Sequence, residues 1–155
     1  MFEWLETTAP AIWVGESLWG YPIMLGSHAV GLAIVVGLFM MRDLRLLGFF
    51  QGISYQSLDS LRNLGWTGFV INAISGLFLF TSQATMFIES TPFLLKIGMI
   101  VLAAICAAVI QNKLRDEGPQ WDSSGAVAGN VRTIALVSTA FWIGAIISGR
   151  LVAYI

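Results

Sequence analysis

The chain has 155 residues, of which 57% are hydrophobic and only 11% are charged, and its formal net charge is −1. A soluble domain devotes about a quarter of its residues to charge. This chain therefore lacks the ionisable groups to coat a water-facing surface and reads as an integral membrane protein. The near-neutral balance leaves no basic patch for nucleic acid and no acidic tail. Its one cysteine, Cys106, lies in an apolar run and cannot form a disulfide within the chain.

In chain order, the opening "MFEWLETTAPAIWVGESLWG" holds Glu3, Glu6 and Glu16, no Lys or Arg, and an interrupting Pro10. That pattern is unlike a secretory signal peptide, so the mature chain is expected to start at or near Met1. Trp4, Trp13 and Trp19 suit an interfacial belt. One or two short interfacial helices are expected over 2–19, the second opened by Pro10. Four apolar stretches of about spanning length follow, at 21–41, 64–81, 93–112 and 131–154. Open strands cannot satisfy their backbone in lipid, so each stretch reads as a helix. The expected fold is all-α, a single integral membrane domain over 1–155 built as a four-helix transmembrane bundle.

The connections carry the topology. "RDLRLLGFFQGISYQSLDSLRNL" mixes arginines with leucines and phenylalanines and reads as an interfacial helix and turn in the first cytoplasmic loop. "RDEGPQWDSSGAVAGN", 115–130, reads as an irregular loop in which Gly118-Pro119 breaks the preceding helix. Arg42, Arg45, Arg62, Lys113, Arg115 and Arg132 all fall on this side, whereas the N-terminal segment and the connection over 82–92 hold no basic residue. The positive-inside rule then places both loops in the cytoplasm and both termini outside. Asp43, Asp59, Asp116, Glu117 and Asp122 belong to the same loops, where solvated charge is expected. Asp43, beside Arg42 and Arg45, reads as tuning the end of the first span.

No Ser/His/acid set, CxxC, HExxH, P-loop or paired intramembrane carboxylate is present. Nor are there repeats or broken helices of the kind transporters use. The polar signal is elsewhere. "GSHAVGLAIVVGL" buries the only histidine, His28, about 10 Å below the outer boundary of the first span. Lys96 enters from the same side on the third span, and Arg150 lies near the outer end of the fourth. Intramembrane ionisable groups are costly and face the bundle interior or snorkel to the interface.

An axial imidazole with cations one or two turns away fits a porphyrin and its propionates. Gly26 and Gly31 beside His28 would let a flat ring approach. Met24, at i−4 from His28, and Met99, one turn beyond Lys96, offer thioethers as a second haem ligand or as copper ligands with His28. The plainer alternative is that His28 bonds to a backbone carbonyl or to Asn72, Ser75 or Thr139. Lys96 and Arg150 would then snorkel or pair with Glu16 or Glu89, and the methionines would fill space. Small residues such as Ala103, Ala107, Gly144 and Gly149 read foremost as helix-packing positions. A single histidine excludes bis-histidine haem ligation within one subunit.

Taken together and in order, "SHAVGLAIVVGLFMMRDLRLLG", "GFVINAISGLFLF", "PFLLKIGMIVL" and "GRLVAYI" resemble an uncharacterised group of bacterial four-span membrane proteins. That group is distantly similar to copper-resistance D-type and related haem-b membrane proteins. The resemblance covers nearly the whole chain after residue 17. It implies a bacterial inner-membrane location and carries a haem or metal ligand onto His28 and a basic residue onto Lys96. Unlike those relatives, this chain has no second membrane histidine. The resulting expectation is a small haem-b-binding subunit for electron transfer or redox sensing. Its site would be His28, Lys96, Arg150, Gly31, Met24 and Met99. The alternatives are a cofactor-free subunit that forms homo-oligomers or docks onto a larger membrane complex, and a copper-handling protein.

Overall fold

A computed structural model describes residues 2–152 and 154. Two short helices open the chain, α1 (Glu3–Glu6) and α2 (Ala9–Glu16). Pro10 sits in the first turn of α2, where its missing N–H would have had no helical partner. There follow α3 (Gly20–Leu46), α4 (Tyr55–Ser60), α5 (Arg62–Thr81), α6 (Ala84–Glu89), α7 (Thr91–Ser124) and α8 (Gly129–Leu151). Of these, α3, α5, α7 and α8 are long and apolar enough to cross a membrane, and no strand occurs among the described residues. The protein is a multi-pass membrane protein built as an all-α four-helix bundle. Leu25, Val30, Ile74, Leu77, Leu102 and Ile105 are among the large side chains left exposed for lipid.

We call the end where α3 and α7 begin the terminal end, and the opposite one, where the arginines gather, the basic end. α3 packs along α5 on one side and against α8 on another, while α7 packs along α8. α5 and α7 make no extended contact, which leaves a crevice between them. The core has two parts. Val35, Phe39, Ala103, Ala107 and Trp142 fill the middle of the bundle. Leu46, Tyr55, Leu58, Ile110, Leu114, Trp121, Val131 and Ala135 fill the basic end, where α4 is tucked beneath α7.

The basic end differs from the sequence expectation. The helix break at Gly118-Pro119 does not occur, and the loop expected over 115–130 shrinks to 125–128. A helix-interior proline forfeits one backbone bond and clashes with the preceding turn, and α4 offsets that cost. Trp121 is 3% exposed and meets the Tyr55 ring edge-on at 5.6 Å. The Asp122 carboxylate accepts from the backbone N–H groups of Tyr55 and Gln56 at 2.9 and 3.2 Å, at the otherwise unsatisfied start of α4. α7 ends instead at Gly125, whose φ of +68° is a left-handed conformation favouring glycine.

The terminal end is closed by the short helices. Phe80, Phe87 and Phe93 stack with centroids 5.0 to 6.4 Å apart, bridging α5, α6 and α7. Glu6 accepts from the Thr85 hydroxyl and from its N–H at 2.8 Å, which joins α1 to α6. Those two donors, the hydroxyl foremost, hold the Glu6 carboxyl below its ordinary value of 4.5. A depressed carboxylate stabilises the fold above its ordinary value and stops doing so as the pH falls through the depressed one. Protection of the Thr85 amide from hydrogen exchange is therefore expected to hold down to about pH 4.5 and fall below it. Glu6→Gln should remove that pH dependence; an unchanged profile in the variant would refute the clasp.

Candidate functional site

His28 lies two turns into α3, on the face packed against α5. The helices approach closely there because Gly31 has no side chain. A Cβ at Gly31 would lie 2.7 Å from the Asn72 backbone nitrogen and 3.0 Å from its Cα. The close approach lets two reciprocal hydrogen bonds form. His28 Nδ1 donates to the Asn72 carbonyl at 2.9 Å, and Asn72 Nδ2 donates to the His28 carbonyl at 2.9 Å. Ser75 Oγ is a further 3.2 Å neighbour of Nδ1 and itself donates to the Ile71 carbonyl at 2.6 Å.

A carbonyl oxygen only accepts, so this geometry assigns the proton of the neutral imidazole to Nδ1 and the lone pair to Nε2. The hydrogen bonds of the His28 ring to described residues all run through Nδ1. Nε2 is left as an acceptor with no donor among them.

The other candidates divide. Lys96 is half-buried on α7, within electrostatic reach of the His28 ring. Its stem crosses the notch left by Gly149 on α8, with Cδ and Cε at 3.1 and 3.2 Å from the missing Cβ position. Among the described residues it has no carboxylate within ion-pair distance. Arg150 is exposed and turned to Tyr154, donating to its hydroxyl at 3.3 Å with the guanidinium 5.6 Å from the ring centroid. Met99 fills the notch at Gly144, and its sulfur accepts weakly from Ser148 Oγ at 3.9 Å. Met24 is half-buried one turn before His28. Thr139 bonds to the Ala135 carbonyl of its own helix and not to His28. Gly31 and the Met99 thioether are thus both engaged in helix packing. The structure brings together His28, Asn72 and Ser75, packs Lys96 against Gly149 of α8, and leaves Arg150 at the helix end.

A second polar centre corrects the expectation of solvated acids. Asp43 is 0% and Arg42 3% exposed. Arg42 Nε and Nη2 donate to Asp43 Oδ1 at 3.0 and 2.7 Å, and Nη1 donates to the Ala107 carbonyl of α7 at 3.1 Å. Ser138 of α8 faces Asp43 across the helix interface. Asp43 Oδ2, Ser138 Oγ and Trp142 Nε1 are all buried with no partner in hydrogen-bond geometry. The signal was present in the spacing: Val35, Phe39, Arg42, Asp43 and Leu46 continue one buried stripe of α3 past the expected span end at residue 41. Asp59 and Asp122 likewise hold structure together. Gln111 Nε2 donates to Asp59 Oδ1 at 2.7 Å, and Asp122 caps α4.

No group of three or more His, Cys, Asp and Glu side chains that could share a metal ion occurs among the described residues. No protein-family model, curated protein or solved structure matches the chain.

Proposed function

We propose that the protein is a small subunit of the bacterial inner membrane that binds haem b through His28 Nε2 and serves electron transfer or redox sensing. Both termini would lie outside and the basic end in the cytoplasm, as the arginine distribution predicts. One observation carries the reading: Nδ1 is committed to the Asn72 carbonyl, so Nε2 presents a bare lone pair in a fixed orientation. Metal-ligating histidines are held in this way, with the second ring nitrogen donating to a carbonyl or carboxylate. Lys96, half-buried and without a carboxylate among the described residues, would supply a counter-charge for a propionate. Arg150 would have to leave Tyr154 to supply another.

Bound haem would contribute reversible one-electron chemistry, while this chain fixes the imidazole. Met24, half-buried one turn before His28, would be the thioether to consider, since Met99 is packed on α8. Absorption spectra of the purified protein, oxidised and reduced, should show a Soret band that His28→Ala abolishes. A wild-type preparation with no Soret band after haem supplementation would refute the proposal.

The cofactor-free reading is favoured by a different observation. The reciprocal His28–Asn72 bonds already join α3 to α5 and give the histidine a structural role. The protein would then be an accessory subunit that oligomerises or docks on a larger complex. Native mass measurement in mild detergent would show a homo-oligomer or a copurified partner in that case. Copper handling through His28 and Met24 would instead give stoichiometric metal in elemental analysis.

A further inference from the structure

At the basic end, where α5 and α7 do not pack along each other, a small polar mouth opens beside an exposed face of α5. At the mouth, Arg42, Arg62 and Gln111 converge over Phe39, Leu58 and Leu61 around a cleft of about 10 Å³. That volume admits a single oxygen-sized group. Beside it, Asn63, Trp66, Thr67 and Val70, all on α5, border a shallow, largely open groove of about 360 Å³. Their i, i+3, i+4, i+7 spacing sets them in one row about 10 Å long on α5. Trp66 packs edge-on against Phe39 at 5.5 Å and so joins the groove to the cleft.

Two arginines and two carboxylates stand at this place, and they are unequally engaged. Arg42 is matched by Asp43. Arg62 has only the Asn63 side-chain oxygen, at 3.5 Å, and no carboxylate within ion-pair distance among the described residues. Asp59 accepts from Gln111 and forms no ion pair with Arg62. Arg62 is also the first residue of α5, so it sits where the hydrocarbon gives way to headgroups.

We propose that this crevice seats one anionic phospholipid. Its phosphate lies at Arg62, with one oxygen entering the cleft beside Arg42 and Gln111, and one acyl chain lies along Trp66, Thr67 and Val70. Basic pockets between membrane helices recognise anionic headgroups on this physical basis. The occupant follows from the surroundings: a membrane helix that presents an open face and, at headgroup level, an arginine with no ion-pair partner among the described residues is in permanent contact with phospholipid. The inference does not depend on the haem reading.

The test is native mass spectrometry of the purified protein in mild detergent with equal amounts of phosphatidylglycerol and phosphatidylcholine. Wild type should retain phosphatidylglycerol in preference. Arg62→Ala should lose about fivefold of that preference. Val70→Trp, which fills the groove from an exposed position, should lower retention of both lipids while preserving helical content. Equal retention of the two lipids by wild type, or an undiminished preference in Arg62→Ala, would overturn the proposal. So would displacement of phosphatidylglycerol by inorganic phosphate alone, since the acyl chain would then contribute nothing.

Discussion

Asp43→Ala is expected to destabilise the protein by about 3–5 kcal/mol, the range for stranding one partner of a buried ion pair. Three observations make this site unforgiving. Arg42 and Asp43 are 3% and 0% exposed, so the freed guanidinium meets water only through the narrow cleft it shares with Arg62 and Gln111. Nε and Nη2 both donate to the same carboxylate oxygen and would lose it together. The Nη1 bond to the Ala107 carbonyl then holds a bare cation in the core. Denaturant unfolding in mild detergent measures the effect. The double variant Arg42→Met with Asp43→Leu should recover most of the loss, because a well-packed apolar pair avoids the desolvation that the ion pair itself incurs. A single Asp43→Ala variant as stable as wild type would mean that water reaches the pair.

The same centre marks where sequence reasoning stopped short. The four spans were legible because each apolar stretch is nearly long enough alone, and α1 and α2 were legible from Pro10 and the tryptophans. What hid Asp43 was the habit of ending a span at its first charge. An arginine and an aspartate adjacent on a helix can neutralise each other internally and continue the buried stripe, as Arg42 and Asp43 do. Pro119 misled for a related reason: a local helix-breaking signal was overridden by contacts with α4, some sixty residues earlier in the chain. The short α6 within 82–92 had no clear sequence signature, since Ala84–Glu89 is held by Phe87 stacking and by Glu6 from the far end of the chain.

The candidate site was legible only in part. Apolar surroundings single out His28, and the polar positions of the second span, Asn72 and Ser75, mark its partners. Which ring nitrogen they would take depends on α3–α5 register, and no single-helix pattern contains that. Arg150 and Met99 could not be assigned a direction from depth alone. Arg150 sits one residue from the end of α8, so Tyr154 competes for it, while Met99 meets the gap that Gly144 leaves on α8.

Gly31→Ala is expected to destabilise the bundle by about 1–3 kcal/mol, the cost of overpacking a close contact. The added methyl would stand 2.7 Å from a backbone nitrogen and 3.0 Å from Cα of Asn72, atoms that cannot rotate away as a side chain could. α3 and α5 must separate, and both the Nδ1–carbonyl bond and its reciprocal from Asn72 Nδ2 lengthen with them. Gly37→Ala is the internal control: it has open space within 4 Å of its Cβ position and gains up to about 1 kcal/mol of helix propensity. Opposite signs for the two variants in detergent unfolding would place the α3–α5 contact at Gly31. Hydrogen exchange at Ser75 and Gly76 should rise in Gly31→Ala alone. If both variants behave alike, the close approach that orients His28 does not form, and Nε2 loses the fixed direction on which ligand binding at this histidine depends.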